Sequence, residues 1–263
     1  MSAMPVLVRR AAPGAGCDLR LDDDQRRVVD ARRGSGPLVV LGASGTGRTT
    51  TLVEAVTARV ERDGVDPERV LLLAPTRRAA AALRDRVTAR LARTVREPLA
   101  RTPHAFAFAL LRRLAVDAGE PAPRLLSGPE QDRILADLLA GHAAGEGRQP
   151  AWPPAVLPAL GLRGFRDELR DLLMRALERG LGPADLDVLG RRLGRPEWTA
   201  AARLLEEYLD VTALATPGAF DPAAIVDTAA ARLDADDALL VRERARWQLI
   251  AVDDHHESTQ ATA

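Results

Sequence analysis

The stretch Pro37-Leu-Val-Val-Leu-Gly-Ala-Ser-Gly-Thr-Gly-Arg-Thr-Thr50 constrains this chain more than any other. Its apolar run predicts a buried strand. Gly42-Ala-Ser-Gly-Thr-Gly-Arg-Thr49, which follows, has the spacing of a phosphate-binding P-loop with one substitution. Glycines let such a backbone turn tightly, so that its N–H groups and those opening the next helix converge on phosphate oxygens. The candidate nucleotide contacts are therefore Gly42, Ala43, Ser44, Gly45, Thr46, Gly47, Arg48, Thr49 and Thr50. Thr49 places a hydroxyl where such loops ligate Mg2+, and Arg48 stands where they carry lysine. The plainer alternative is a glycine-rich turn that binds nothing. Three glycines at the right offsets, with a strand pattern before and a helical pattern after, weigh against it.

Composition bears directly on Arg48. All 37 basic residues are arginine, so the missing lysine is a property of the whole chain as well as of the loop. The 37 acidic residues bring the formal charge to zero, and any nucleic-acid surface must be local. A length of 263 residues admits one large or two modest domains. The 46% hydrophobic content and few aromatics predict a core of Leu, Val and Ala. The single cysteine, Cys17, excludes an internal disulfide or a cysteine-built metal site and fits a reducing cytoplasm. No apolar run approaches a membrane span, and the N-terminus lacks a secretory apolar core, so a soluble chain with no membrane partner is expected.

Periodicity organises the rest. Residues 1–20 read as an irregular lead-in, and Asp22 to Asp30 as a short helix closed by Gly34-Ser-Gly36. Gln25 follows Asp22 at the spacing of a capping box. Helical spacing over 47–62 puts Leu52, Val53, Val56 and Val60 on one face, and Val70 to Ala74 reads as a buried strand. A helix over 77–90, a strand near 98–102 and a helix from about His104 continue an alternation that predicts a parallel sheet covered by helices. Ser127-Gly-Pro-Glu130 is a clean helix start. Helical patterns then follow at 165–177, 183–193, 198–212 and 221–233, with 143–154 as a Gly/Pro-rich loop. Residues 118–235 therefore read as an all-helical insertion into an α/β lobe made of 1–117 and 236–263.

The α/β pattern returns in Trp247 to Asp254, an apolar strand ending in two acids. An aspartate at the end of a strand beside a P-loop is where an NTPase holds Mg2+, and the next carboxylate orients or deprotonates the attacking water. Asp253 and Asp254 fit those roles; a solvated strand end is the plain alternative. His255 and His256 invite a metal reading, but neighbours on extended backbone point to opposite sides, so none is expected.

In order, these segments resemble the N-terminal half of a UvrD/Rep/RecB-type superfamily 1 DNA helicase motor. Leu21-Asp-Asp-Asp-Gln25 resembles the Q motif, in which the glutamine reads adenine. Gly42 to Thr49 resembles Walker A. Ala74-Pro-Thr-Arg-Arg-Ala-Ala80 resembles motif Ia, which implies that Thr76, Arg77 and Arg78 touch single-stranded DNA. Thr102-Pro-His104-Ala-Phe106 resembles motif Ib, which places Thr102, His104 and Phe106 on the same path. Val252-Asp-Asp-His-His-Glu-Ser258 resembles motif II, and residues 118–235 sit where such helicases carry subdomain 1B.

The resemblance implies a RecA-like P-loop fold, ATP and Mg2+ as cofactors, Thr49 and Asp253 at the metal, and Arg48, Asp254 and His256 in hydrolysis. The partners it implies are single-stranded DNA and either a second helicase lobe or a helicase–nuclease subunit. The arginine- and alanine-rich style is similar to actinobacterial AdnA-like helicase–nuclease subunits. Without the resemblance, Arg77 and Arg78 read equally as a solvated helix start, His104 as a cap and Phe106 as core.

Three departures fall on the hydrolysis residues. Arg48 replaces a compact ammonium with a planar fork, Asp254 is one methylene shorter than the usual glutamate, and His256 replaces a glutamine. The chain ends nine residues after Asp254, before the later motifs and the second lobe, which predicts weak hydrolysis and no translocation. Two rival readings stay open: a degenerate subunit that grips DNA or scaffolds a partner, and an unrelated P-loop kinase with 118–235 as its lid.

Overall fold

The computed structural model describes residues 20–31, 36–91 and 100–258. Cys17, most of the lead-in, Gly34 and the start of the strand expected near Pro98 lie outside them. Along the chain run α1 (Asp23–Asp30), α2 (Arg48–Glu61), β1 (Val70–Leu73), α3 (Arg77–Arg90), β2 (Ala100–Arg101), α4 (Pro103–Ala118), β3 (Arg124–Leu125) and α5 (Gly128–Ala144). Then come α6 (Arg163–Glu178), α7 (Pro183–Arg192), α8 (Pro196–Ala215), β4 (Ala219–Phe220), α9 (Ile225–Ala235), α10 (Asp237–Arg246) and β5 (Leu249–Val252). The chain divides into two compact units, one running to Thr102 and taking in Ala245–Asp254, the other holding Pro103–Arg244 and the residues from His255 on.

The first unit is built on a parallel sheet in the order β2-β1-β5. Val70, Leu71 and Leu72 of the central strand are all buried, as a continuous apolar run should be when helices cover a parallel sheet. α2 contributes Val53, Val56 and Val60, and α3 contributes Ala80, Leu83 and Val87, to one core with Val70, Leu72, Ala74 and Ala100. Both sets follow the i, i+3/i+4, i+7 spacing of an amphipathic helix. Asp66 accepts from the Glu68 backbone N–H at 3.0 Å and shapes the entry to β1.

The apolar run ahead of the loop departs from expectation. Leu38, Val39, Val40 and Leu41 form no strand and are 56%, 75%, 40% and 89% exposed. β5 is the outermost strand of the described sheet, and the run has neither a ladder nor a facing layer to join. Apolar side chains alone do not make a strand; pairing and packing do. On β5, Leu249 and Ala251 face the core while Ile250 and Val252 face outward, 54% and 39% exposed.

The second unit is helical, with its largest core shared by Leu135 and Leu139 of α5, Leu169 and Leu173 of α6, Leu186 of α7, and Leu204, Leu205 and Tyr208 of α8. A smaller cluster joins Ala107, Leu110 and Leu111 of α4 to Ile225 and Ala229 of α9. The Glu130 carboxylate accepts from both the backbone N–H and the hydroxyl of Ser127 at 2.8 Å, which fixes the start of α5.

Two expectations need correction here. The stretch read as all-helical contains a two-residue parallel ladder, β3 with β4, pairing Arg124 with Ala219 and Leu125 with Phe220. Two residues per strand are too few to register as alternation. The helix expected from residue 221 begins at Ile225 instead, because Asp221 folds back to accept from the Ala223 backbone N–H at 2.9 Å. α10, where no element was expected, is capped by Asp236, which accepts from the Leu239 backbone N–H at 2.9 Å.

Candidate nucleotide site

The loop that opens α2 owes its path to its glycines. Gly47 caps the helix at φ 84°, a left-handed conformation that side chains oppose, and a Cβ there would sit 2.9 Å from Nε2 of Gln25. At Gly42 a Cβ would meet the Thr46 hydroxyl at 2.6 Å. Thr46 closes the turn by donating from both its backbone N–H, at 3.3 Å, and its hydroxyl, at 2.8 Å, to the Ala43 carbonyl. Residues 42–46 are exposed and Gly47 to Thr50 half-buried, so the loop faces solvent while the helix start is anchored. The unpaired backbone N–H groups of that first turn form an anion-attracting end.

Gln25 does two things at once. It completes the capping box of α1, accepting from the Asp22 backbone N–H at 3.1 Å while Asp22 accepts from its own N–H at 2.8 Å. Its amide nitrogen donates to the Thr46 carbonyl at 3.1 Å, 21 residues away, which ties α1 to the loop. The cap reading of Gln25 and its place beside the loop therefore coexist in one side chain.

The two acids after β5 reach the same loop. The Thr49 hydroxyl donates to Asp253 at 3.1 Å, and Nη2 of Arg48 donates to Asp254 at 3.0 Å, contacts that span 204 and 206 residues of sequence. The second nitrogen of the Arg48 fork, Nη1, donates to the Gly42 carbonyl, so the side chain runs back across its own loop. Asp254 sits at φ 48°, the left-handed region that aspartate tolerates better than most non-glycine residues. Parallel pairing of β5 with β1 makes the convergence possible: the Asp253 N–H continues the ladder by donating to the Leu73 carbonyl at 2.9 Å.

Asp253 is 8% exposed, and burial pushes its carboxyl above the ordinary aspartate range. The Thr49 hydroxyl bond opposes that shift, the Asp254 charge adds to it, and the Arg86 charge again opposes it. A hydroxyl and a buried carboxylate within hydrogen-bond distance are hard oxygen donors suited to Mg2+, and a divalent cation beside them would offset the cost of the buried charge. The residues present fit that ion. Among the described residues, no cluster of three or more His, Cys, Asp or Glu side chains could hold another metal, His255 and His256 included.

Arg86 escapes sequence reasoning. It donates to the Thr50 hydroxyl at 2.7 Å, which brings a second cation to the loop from α3. Nothing distinguishes it in sequence from the other arginines of that helix.

The remaining predicted residues are distributed more widely. Thr76 caps α3, its hydroxyl accepting from the Ala79 backbone N–H at 3.1 Å, and Arg77 and Arg78 are exposed in the first turn. Thr102, buried at 8% exposure, follows β2. Thr76, Thr102 and Asp253 thus leave one parallel sheet by the same C-terminal edge, where α/β sheets place their ligands. His104, exposed, and Phe106, half-buried, lie on α4 in the second unit, and His256 lies there in the short turn His255–Glu257.

Comparison with known proteins gives the same answer from sequence similarity. DNA helicase II of Haemophilus influenzae is 25% identical over 245 residues, which cover 91% of this chain and 30% of that protein. DNA helicase II of Escherichia coli is 30% identical over 135 residues, or 51% of this chain and 18% of that protein. An ATP-dependent helicase/nuclease protein of Syntrophomonas wolfei is 38% identical over 66 residues, a quarter of this chain and 5% of that protein. The chain thus spans at most about a third of the length of these relatives. The profile of the UvrD/REP helicase N-terminal domain matches residues 21–262, and the chain belongs to that family.

Proposed function

We propose that this chain is the ATP-binding N-terminal part of a UvrD-like DNA helicase, in which the loop 42–50 with Asp253 and Asp254 takes a Mg2+–adenine nucleotide. The observation that carries this reading is the Thr49–Asp253 hydrogen bond, which joins a hydroxyl at the phosphate loop to a buried carboxylate 204 residues later. The proposed lobe comprises 1–117 and 236–263, with 118–235 as the inserted subdomain.

Roles for the chain's own groups follow from chemistry. Backbone N–H groups of the loop and of the first turn of α2 bind phosphate oxygens. Thr49 and Asp253 hold the Mg2+, which supplies charge neutralisation at the phosphates. Asp254 orients the attacking water and takes its proton, but from one methylene further back than a glutamate. Gln25 contacts adenine and His256 couples the γ-phosphate to DNA. Thr76, Arg77 and Arg78 grip the DNA backbone, and Thr102, His104 and Phe106 contact sugar or base.

Slow hydrolysis is part of the proposal. Arg48 is a broad fork already divided between two acceptors, and Asp254 is short, so neither group matches the role of a compact ammonium or a full-length glutamate. The same contacts favour a second reading, in which the chain is a DNA-gripping or scaffolding subunit beside an active partner. Nucleotide affinity of the 263-residue chain, with and without Mg2+ and oligo-dT, tests the first; DNA-stimulated ATPase separates the two. Arg48→Lys with Asp254→Glu should raise turnover by about tenfold or more if only the chemistry is weakened. Affinity that ignores Mg2+ and is unchanged by Thr49→Ala would overturn the nucleotide reading.

A further inference from the structure

The Arg48 fork has two rival anionic partners: Asp254, which it holds, and the phosphates for which the loop is shaped. We propose that Asp254 competes with phosphate for Arg48, so that this pair acts as a latch setting nucleotide affinity. The inference rests on the nucleotide reading above.

Three features support it. The first is the path of the side chain. Arg48 lies at the end of the loop and Gly42 at its beginning, and Nη1 of Arg48 donates back to the Gly42 carbonyl, so the side chain closes the loop into a ring. Its Cγ lies 3.5 Å from where a Cβ on Gly42 would stand, so this closure depends on glycine there. The second is the aim of the acid. Asp254 adopts φ 48°, and from that turn its carboxylate meets Nη2 at 3.0 Å. A non-glycine residue held in that region marks a position over-determined by its surroundings.

The third is matched length. Arginine reaches one atom further than lysine and ends in a fork, while aspartate is one methylene shorter than glutamate. The two departures at this site compensate each other. With both side chains about one-third exposed (31% and 32%), the pair is weak enough for a polyanion to displace. It still lowers the affinity, because the phosphates must take the guanidinium from Asp254 and sit beside the carboxylate left behind. Latching and slow hydrolysis are then two effects of one pair: Asp254 is engaged with the loop's own cation instead of with water.

The test is a double-mutant cycle on the 263-residue chain, read by the affinity of a fluorescent ADP analogue in chelator without Mg2+, so that ligation by Asp253 does not enter. Asp254→Asn keeps shape and tolerates the left-handed backbone, and Asp254→Gly provides a second variant that fits φ 48°. Asp254→Asn should bind about threefold to tenfold more tightly than the wild type, while hydrolysing ATP no faster. On an Arg48→Ala background the same substitution should change affinity by less than about twofold, because the latch is already gone.

Equal or weaker binding by both Asp254 variants overturns the latch. So does an equal gain on both backgrounds, which would mean that the carboxylate acts by repulsion alone. Binding by Asp254→Asn where the wild type binds nothing supports it. Failure of all four proteins of the cycle to bind overturns the nucleotide site itself, and the latch with it.

Discussion

Asp253 is buried and Thr49 is one of the groups that make its charge tolerable, so deleting a single hydroxyl has a calculable effect. Thr49→Val keeps the branched shape at the start of α2 and removes only the donor. The prediction is loss of Mg2+-dependent nucleotide affinity by about tenfold, with a stability cost of about 1 kcal/mol from the weakened acceptor. Titration calorimetry with and without Mg2+, together with urea unfolding, measures both. An unchanged Mg2+ dependence would remove Thr49 from the metal. At this scale the sequence was legible wherever chemistry was tied to a local pattern: the loop glycines, Thr49 and the acids after β5 all stood out. Arg86 did not, because its relation to Thr50 exists only once α3 packs on α2. The double use of Gln25 was half visible, since a capping box is local and a bond to a carbonyl 21 residues away is not.

Among the elements, helices were read well because burial at i, i+3 and i+4 is written into consecutive residues; α3 begins and ends at the expected residues. Strands were read less well. Leu38–Leu41 has strand composition but no ladder, and β3 and β4 have a ladder but only two residues each. The exposed run has a testable consequence. Four consecutive apolar residues lie in the unit that also carries the open edge strand β5, with Ile250 and Val252 outward, and such features promote edge-to-edge association. Val39→Asp with Leu41→Asp should lower the self-associated fraction severalfold in light scattering; no change would show that the run is not adhesive.

The helical unit offers a pH test. Asp132 on α5 accepts from Nε of Arg166 on α6 at 2.7 Å and from Nη2 at 3.3 Å, and this bond holds its carboxyl below the ordinary aspartate range. A depressed folded-state value stabilises above the unfolded value, near 4 at about the usual aspartate figure, and the contribution fades as pH falls further. Asp132→Asn should therefore cost about 0.5–1 kcal/mol at pH 6, a difference that shrinks below about pH 4 in urea unfolding. A difference that persists unchanged at low pH would exclude the ion pair as its source.

For the whole molecule, the distribution of cores makes the last prediction. The cluster that supports the phosphate loop draws on α2, α3, β1 and β2, and the large helical cluster draws on α5 to α8; they share no residue. Within the helical unit, Asp221 is 5% exposed and accepts from the Tyr208 hydroxyl and the Gln131 amide at 2.9 Å each, so a buried charge is held by donors from three segments. Tyr208, itself fully buried, has its hydroxyl pushed far above the ordinary tyrosine range, first by burial and then by the Asp221 charge, and remains a donor at every working pH. Removing that donor with Tyr208→Phe should cost about 1–3 kcal/mol, because it leaves a buried carboxylate short of a partner. Units with separate cores unfold as separate steps when their mutual coupling is weaker than each core's own stability. Calorimetry of the 263-residue chain should then show two transitions. Tyr208→Phe should lower one of them, and Mg2+–ADP should raise the other, since a ligand stabilises only the unit whose folded form binds it. Hydrogen exchange locates each effect: nucleotide should slow amides in α2 and β1, and Tyr208→Phe should speed those in α5 and α8. A single transition that both treatments shift together would mean that the two cores fold as one, and the phosphate loop would then owe its shape to the helical unit as much as to the sheet beneath it.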